Sequence, residues 1–227
     1  LAAPLCLVFL AVDGAFFAAN IVKVPQGGWF PLVVAVVVFA LLTTWKRGRQ
    51  LLSERLDERV QPLERFLREI AANPPSRVPG TAIFMFRSPV HTPYSLAQNL
   101  KANKVLHERV VLLTVKTAER PRVRRAERVT LTPLGNGFYQ IVMRFGFMEE
   151  PNVPRVLRNV WPEGAEQRLA DVTYFVGRET VFATKHEGMA LWRERLFALM
   201  ARNALSASSF YHLPPGQVVE LGAQVEI

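Results

Sequence analysis

Residues 29–50 read WFPLVVAVVVFALLTTWKRGRQ, an apolar run bracketed by Trp29 and Trp45 and stopped by the basic tetrad KRGR. A bilayer crossing needs about 20 mainly apolar residues, with a lower limit near 17, and tryptophans settle at its interfaces. The run therefore reads as a membrane span over about 29–45. Upstream, PLCLVFLAVDGAFFAANIV (4–22) is long enough for another span, and the linking KVPQGG offers Pro25 and the Gly27-Gly28 pair as a tight turn. A hairpin of two helices follows. The bland alternative is a buried helical pair in a large soluble protein, but two such runs with a basic stop are rare there.

Charge sets the expected orientation. The basic cluster follows the second span while the hairpin loop holds only Lys23, so the positive-inside rule places everything after Trp45 in the cytoplasm. The first span carries one acid, Asp13, and one amide, Asn20. An ionisable group in a membrane is a functional candidate by default, which makes Asp13 an ion-site candidate; it reads equally as a hydrogen-bonding group between helices.

Composition agrees with a mixed membrane and globular chain: 227 residues, 50% hydrophobic and 21% charged, with the apolar residues crowded at the amino end. The length suits one ordinary soluble domain beside a small membrane part. The chain opens on Leu1 inside an apolar run and is expected to be part of a longer protein, without the layout of a signal peptide. Cys6 is the single cysteine, so no internal disulfide or thiolate metal cluster can form.

Three regions are expected: a membrane hairpin over 1–48, an amphipathic connecting helix over 49–75, and an α/β domain with a mixed sheet over 76–227. In the connector, Leu52, Leu56, Val60, Leu63, Leu67 and Ile70 recur at helical spacing, and Pro62 should kink or split the helix. Beyond it, strands are expected at 80–89, 108–117, 127–134 and 137–147, the last two flanking the turn signal Gly135-Asn136-Gly137. A strand pair is expected within 171–184 and an edge strand in QVVELGAQVEI at the end. Helices are expected at 95–103, 153–161 and 189–204, the last with a stripe of Leu191, Leu196, Phe197, Met200 and Leu205.

The search for chemistry is mostly negative. There is no Walker A, G-x-G-x-x-G, H-E-x-x-H or G-x-S-x-G, so no catalytic residues are assigned and an enzyme is not expected. His-Glu occurs at 107–108 and 186–187, but neighbours on a strand face opposite ways, so neither dipeptide chelates a metal by itself. The net charge of +9 concentrates in KTAERPRVRRAERVT (116–130). Without interleaved aromatics to stack on bases it does not read as a nucleic-acid site; anionic headgroups, a subunit partner or plain solvation account for it.

The stretch NLKANKVLHERVVLLTV (99–115) places Asn99, Lys101, Asn103, Lys104 and His107 just before a buried-looking strand. One reading is a helix end, with Asn103-Lys104 as its polar terminus and a cation offsetting exposed carbonyls. The other is a site for an anionic ligand or a partner subunit at a helix-to-strand loop.

VDGAFFAANIVKVPQGGWFPLVVAVVVFALLTTWKRGR resembles the last two membrane helices of the KUP/HAK/KT family of potassium uptake transporters. PGTAIFM, NLKANKVLHERVVLLTV, RFGFMEEPNVPRVL, TYFVGRE and FYHLPPGQVVELGAQVEI resemble, in order, the family's cytoplasmic carboxy-terminal domain. The resemblance implies a potassium/proton symporter of a bacterial cytoplasmic membrane whose ion path lies in an amino-terminal core not contained in these 227 residues. It implies a regulatory or assembly role for the domain, homodimer contacts, and an adenine nucleotide messenger as a ligand in some members, with no resident cofactor. It also places Asn99, Lys101, Asn103, Lys104 and His107 in a block characteristic of the domain. A membrane-anchored nucleotide-sensing module without transport of its own is the alternative.

Overall fold

The computed structural model describes residues 2–87, 91–160, 171–182, 184 and 188–226. The chain forms two compact units, Leu1–Arg47 and Gly48–Ile227. In the first, helix α1 (Ala2–Ile21) and the start of helix α2 (Trp29–Glu58) are joined by a wide helical turn, Val24–Gly28, in which Gly27 takes φ 124°. Glycine adopts that positive φ without a Cβ penalty.

Both helices are long and apolar enough to cross a membrane, and their large side chains point outward: Phe9 is 61%, Phe16 66% and Phe39 69% exposed. Such a surface is costly in water and matched to lipid. Two polar groups inside these stretches satisfy themselves locally. The Asn20 amide donates to the Phe16 carbonyl at 2.8 Å and the Thr43 hydroxyl to the Phe39 carbonyl at 2.7 Å.

In the second unit the connector region 49–75 holds the end of α2, a break around Pro62, and helix α3 (Leu63–Ala72). Pro62 sits just before α3, where its missing N–H costs nothing. Leu63, Phe66 and Ile70, one face of α3, are buried. Then follow β1 (Ser76–Met85), α4 (Tyr94–Asn103), β2 (Val105–Ala118), β3 (Val129–Gly135), β4 (Phe138–Gly146), α5 (Val153–Val160), β5 (Val172–Phe182), α6 (Leu191–Arg202), the short α7 (Ala207–Phe210) and β6 (Val218–Glu226). Trp161, the expected last residue of the 153–161 helix, lies outside the described residues.

The six strands make one mixed sheet in the order β3-β4-β2-β1-β5-β6. All neighbours are parallel except the β3/β4 hairpin. The chain winds from β1 through β2 to β4 on one side and through β5 to β6 on the other, so its direction of travel reverses between β1 and β5. Alternation of side chains feeds two cores. Ile83, Val111, Ile141 and Tyr174 pack with Val153 and Leu157 of α5; Phe84, Val110, Leu112 and Phe138 pack with Phe66 and Ile70 of α3 and Leu96 of α4. Phe84 and Phe175 stack across β1 and β5 at 4.5 Å. Parallel strands buried on both faces explain the unbroken apolar runs at Ala82–Phe84 and Val110–Leu113.

Two expectations change. The strand pair expected in 171–184 is one strand, β5, whose residues Tyr174–Phe182 pair without a break against Val218–Glu226. Gly177 is a strand residue opposite Leu221. The helical stripe at 189–204 is carried by α6 alone, and Leu205 lies beyond its end, 70% exposed.

Candidate functional site

The 99–107 cluster straddles the end of α4 and the start of β2. Asn99 is buried at 4% exposure and accepts, through Oδ1, a 2.8 Å hydrogen bond from Asn103 Nδ2 one turn on. Lys104 takes the left-handed conformation (φ 58°), and its N–H donates to the Leu100 carbonyl at 2.9 Å. This is a helix terminus of the αL kind, with lysine where glycine is usual. Lys101 and Lys104 are exposed. Lys101 stands with Glu69 on the rim of an open groove between α3 and α4, floored by Phe66, Ile70 and Leu100.

His107 is separate. Its ring meets Phe175 edge to face at 5.9 Å, and its Nδ1 is buried with no hydrogen-bond partner among the described residues. Burial pushes the imidazole below its ordinary pKa, and the Asp171 charge partly opposes that. Among the described contacts none joins His107 to Asn99, Lys101, Asn103 or Lys104. It belongs instead to the amino edge of the sheet. There Arg77 donates to the His107 carbonyl at 2.7 Å and the Asn136 carbonyl at 2.9 Å, with its guanidinium 5.3 Å over the Phe138 ring. Asp13 lies on α1 with its side chain exposed among lipid-facing neighbours.

Sequence reasoning did not single out Arg77, Asp171 or the group at the carboxyl edge. At that edge, next to the β1/β5 reversal, burial pushes the Glu179 carboxyl and the Tyr211 hydroxyl up, and the positive charge of Arg87 opposes both shifts. These residues come from β5, the β1 exit and the segment after α7, so no short motif could carry them. Also at the carboxyl edge, the 119–128 loop is pinned by ion pairs of Arg120 with Glu127 and of Arg128 with Glu149. Glu149 is partly desolvated, which pushes its carboxyl up, but the Gly146 and Val123 amides at 2.7 and 3.1 Å and the Arg128 charge outweigh this and hold it low.

Comparison with known families places both units. Residues 79–227 match the model described as "K+ potassium transporter C-terminal domain", and residues 1–50 match "K+ potassium transporter integral membrane domain". The chain belongs to the K+ potassium transporter (KUP) family. Relatives within it include the "Probable potassium transport system protein Kup" of Myxococcus xanthus, 53% identical over 100% of this chain and 35% of its own length. "Kup 2" of Rhizorhabdus wittichii is 52% identical over 100% of this chain and 35% of its own, and "Kup 1" of Geobacter sulfurreducens 52% identical over 99% and 36%. The chain thus spans about a third of the length of these KUP relatives. No solved structure matches it. With an integral membrane domain of the KUP type over its first 50 residues, it is a membrane protein.

Proposed function

We propose that the chain is the carboxy-terminal part of a proton-coupled potassium uptake transporter of the bacterial cytoplasmic membrane. The single observation that carries this reading is the match of residues 1–50 and 79–227 to the two potassium transporter models, in that order. On this reading the rest of such a transporter supplies the ion path, and α1 and α2 flank it. The α/β domain lies in the cytoplasm, as the Lys46-Arg47-Gly48-Arg49 stop after Trp45 favours. It regulates or assembles the transporter, as a homodimer. The test is expression of the full-length protein containing this sequence in a bacterium stripped of its own potassium uptake systems. Growth on low potassium, with rubidium entry, is expected; a membrane-inserted protein that restores neither overturns the proposal.

A nucleotide-sensing role has one specific support. The sheet reverses its winding between β1 and β5, and open α/β sheets hold ligands outside the carboxyl ends of their strands at such a point. Arg87, Glu179 and Tyr211 stand there, a cation and hydrogen-bonding groups suited to a phosphate and a base. Calorimetry on the full chain in detergent with AMP and cyclic dinucleotides checks it. Heat that Arg87→Ala removes supports the sensor, and no heat with any of them sinks it.

A further inference from the structure

We infer that the basic loop 119–128, together with Phe147 and Met148, is a membrane-surface contact that docks the α/β domain on an anionic leaflet. Between Lys116 and Arg128 the sequence carries six basic residues and two acids. The structure sorts these charges. Arg120 and Arg128 are spent on Glu127 and Glu149, whereas Arg122, Arg124 and Arg125 are exposed and have no ion pair or side-chain hydrogen bond among the described residues. Of the neighbouring acids, Glu149 is engaged on the Gly146 and Val123 amides and Arg128, and Glu150 on His212 Nε2 at 3.0 Å; the exposed Glu119 offsets one of the three free arginines.

Beside these arginines stand two apolar side chains that the fold does not use. Phe147 is 60% and Met148 71% exposed. They are held, not loose: the Phe147 and Met148 amides donate to the Arg120 and Pro121 carbonyls, each at 3.1 Å. A Cβ on Gly146 would sit 2.1 Å from the Pro121 carbonyl oxygen, so only glycine lets the two loops lie this close. Three free guanidinium groups and two exposed apolar side chains are thereby carried on adjoining, hydrogen-bonded loops.

The occupant follows from chemistry. Guanidinium groups fork onto phosphate oxygens, an adjacent Phe-Met pair suits the headgroup boundary, and reversible membrane attachment characteristically combines a basic patch with an apolar insertion. The two spans of the same chain hold the domain near a bilayer, so a weak patch suffices. Each arginine close to an anionic surface strengthens attachment about fivefold, and the three together on the order of a hundredfold.

The inference rests on the membrane reading of α1 and α2, and the test keeps the two separable. Nanodiscs present the same lipid on both faces, so the outcome does not depend on which side the domain occupies. The full chain, with Cys6→Ser and Ala126→Cys, is spin-labelled at position 126 and inserted into discs of phosphatidylcholine alone or mixed with phosphatidylglycerol. Collision with a water-soluble nickel relaxant is expected to fall severalfold in the mixed discs. It should return in high salt, in phosphatidylcholine discs, with Arg122→Glu/Arg124→Glu/Arg125→Glu, and in part with Phe147→Ser/Met148→Ser. A label equally open to water in both discs overturns the inference. So does protection that ignores lipid composition and salt, which marks a protein partner instead. The lipid and salt comparisons need no loop charge to be altered, so they decide the matter even if a variant folds poorly.

Discussion

Lys104 shows what a single residue reveals about the 99–107 block. It holds φ 58°, a conformation that costs a non-glycine residue about 1–2 kcal/mol, at a helix end where glycine is the ordinary choice. Lys104→Gly is therefore expected to stabilise the chain by about 1 kcal/mol, read as a raised thermal midpoint of the purified protein in detergent; an unchanged or lowered midpoint contradicts the helix-end account. His107 gives a pH dependence of definite sign. Burial lowers its pKa in the folded chain below the unfolded value, so its neutral form contributes stability above that value and loses it as pH falls through the folded pKa. The thermal midpoint should drop between neutral pH and about pH 5, and His107→Gln should flatten that slope; an identical slope in the variant would assign it to other groups.

Among the elements, α2 is packed tightly against α6 at Gly48. A Cβ on Gly48 would lie 2.3 Å from the ring of Phe197, which is fully buried on α6 and has nowhere to retreat. Gly48→Ala is expected to cost about 1–3 kcal/mol by prising α2 from α6, seen as a lowered melting temperature, while Gly14→Ala, with nothing within 4 Å, should cost nothing. The same scale shows where the fold was legible. The apolar runs at Ala82–Phe84 and Val110–Leu113 announced strands because burial on both faces leaves no room for polar alternation. Gly135-Asn136-Gly137 announced its hairpin because the turn needs positive φ, which all three adopt. The single strand over 172–182, expected as a pair, was not legible because its partner β6 lies far along the chain. Phe147, expected inside the fourth strand, falls outside it. There the Glu149 carboxylate takes the Gly146 amide and the chain turns. The helix-end cluster was legible because its residues are local. The group around Arg87, Glu179 and Tyr211 was not, because parallel crossovers bring together positions far apart in sequence.

For the whole molecule the central claim is potassium uptake, and it concerns more than the residues described, since the chain spans about a third of its relatives' length. The hairpin matches part of an integral membrane domain, and the doubly wound domain matches the C-terminal domain of potassium transporters. The most direct measurement is potassium entry into proteoliposomes holding the purified full-length protein that contains this sequence, followed with and without an imposed inward proton gradient. The account predicts entry that the proton gradient accelerates and that protein-free vesicles lack. Protein correctly inserted yet giving no entry above those vesicles, with or without the gradient, would contradict it.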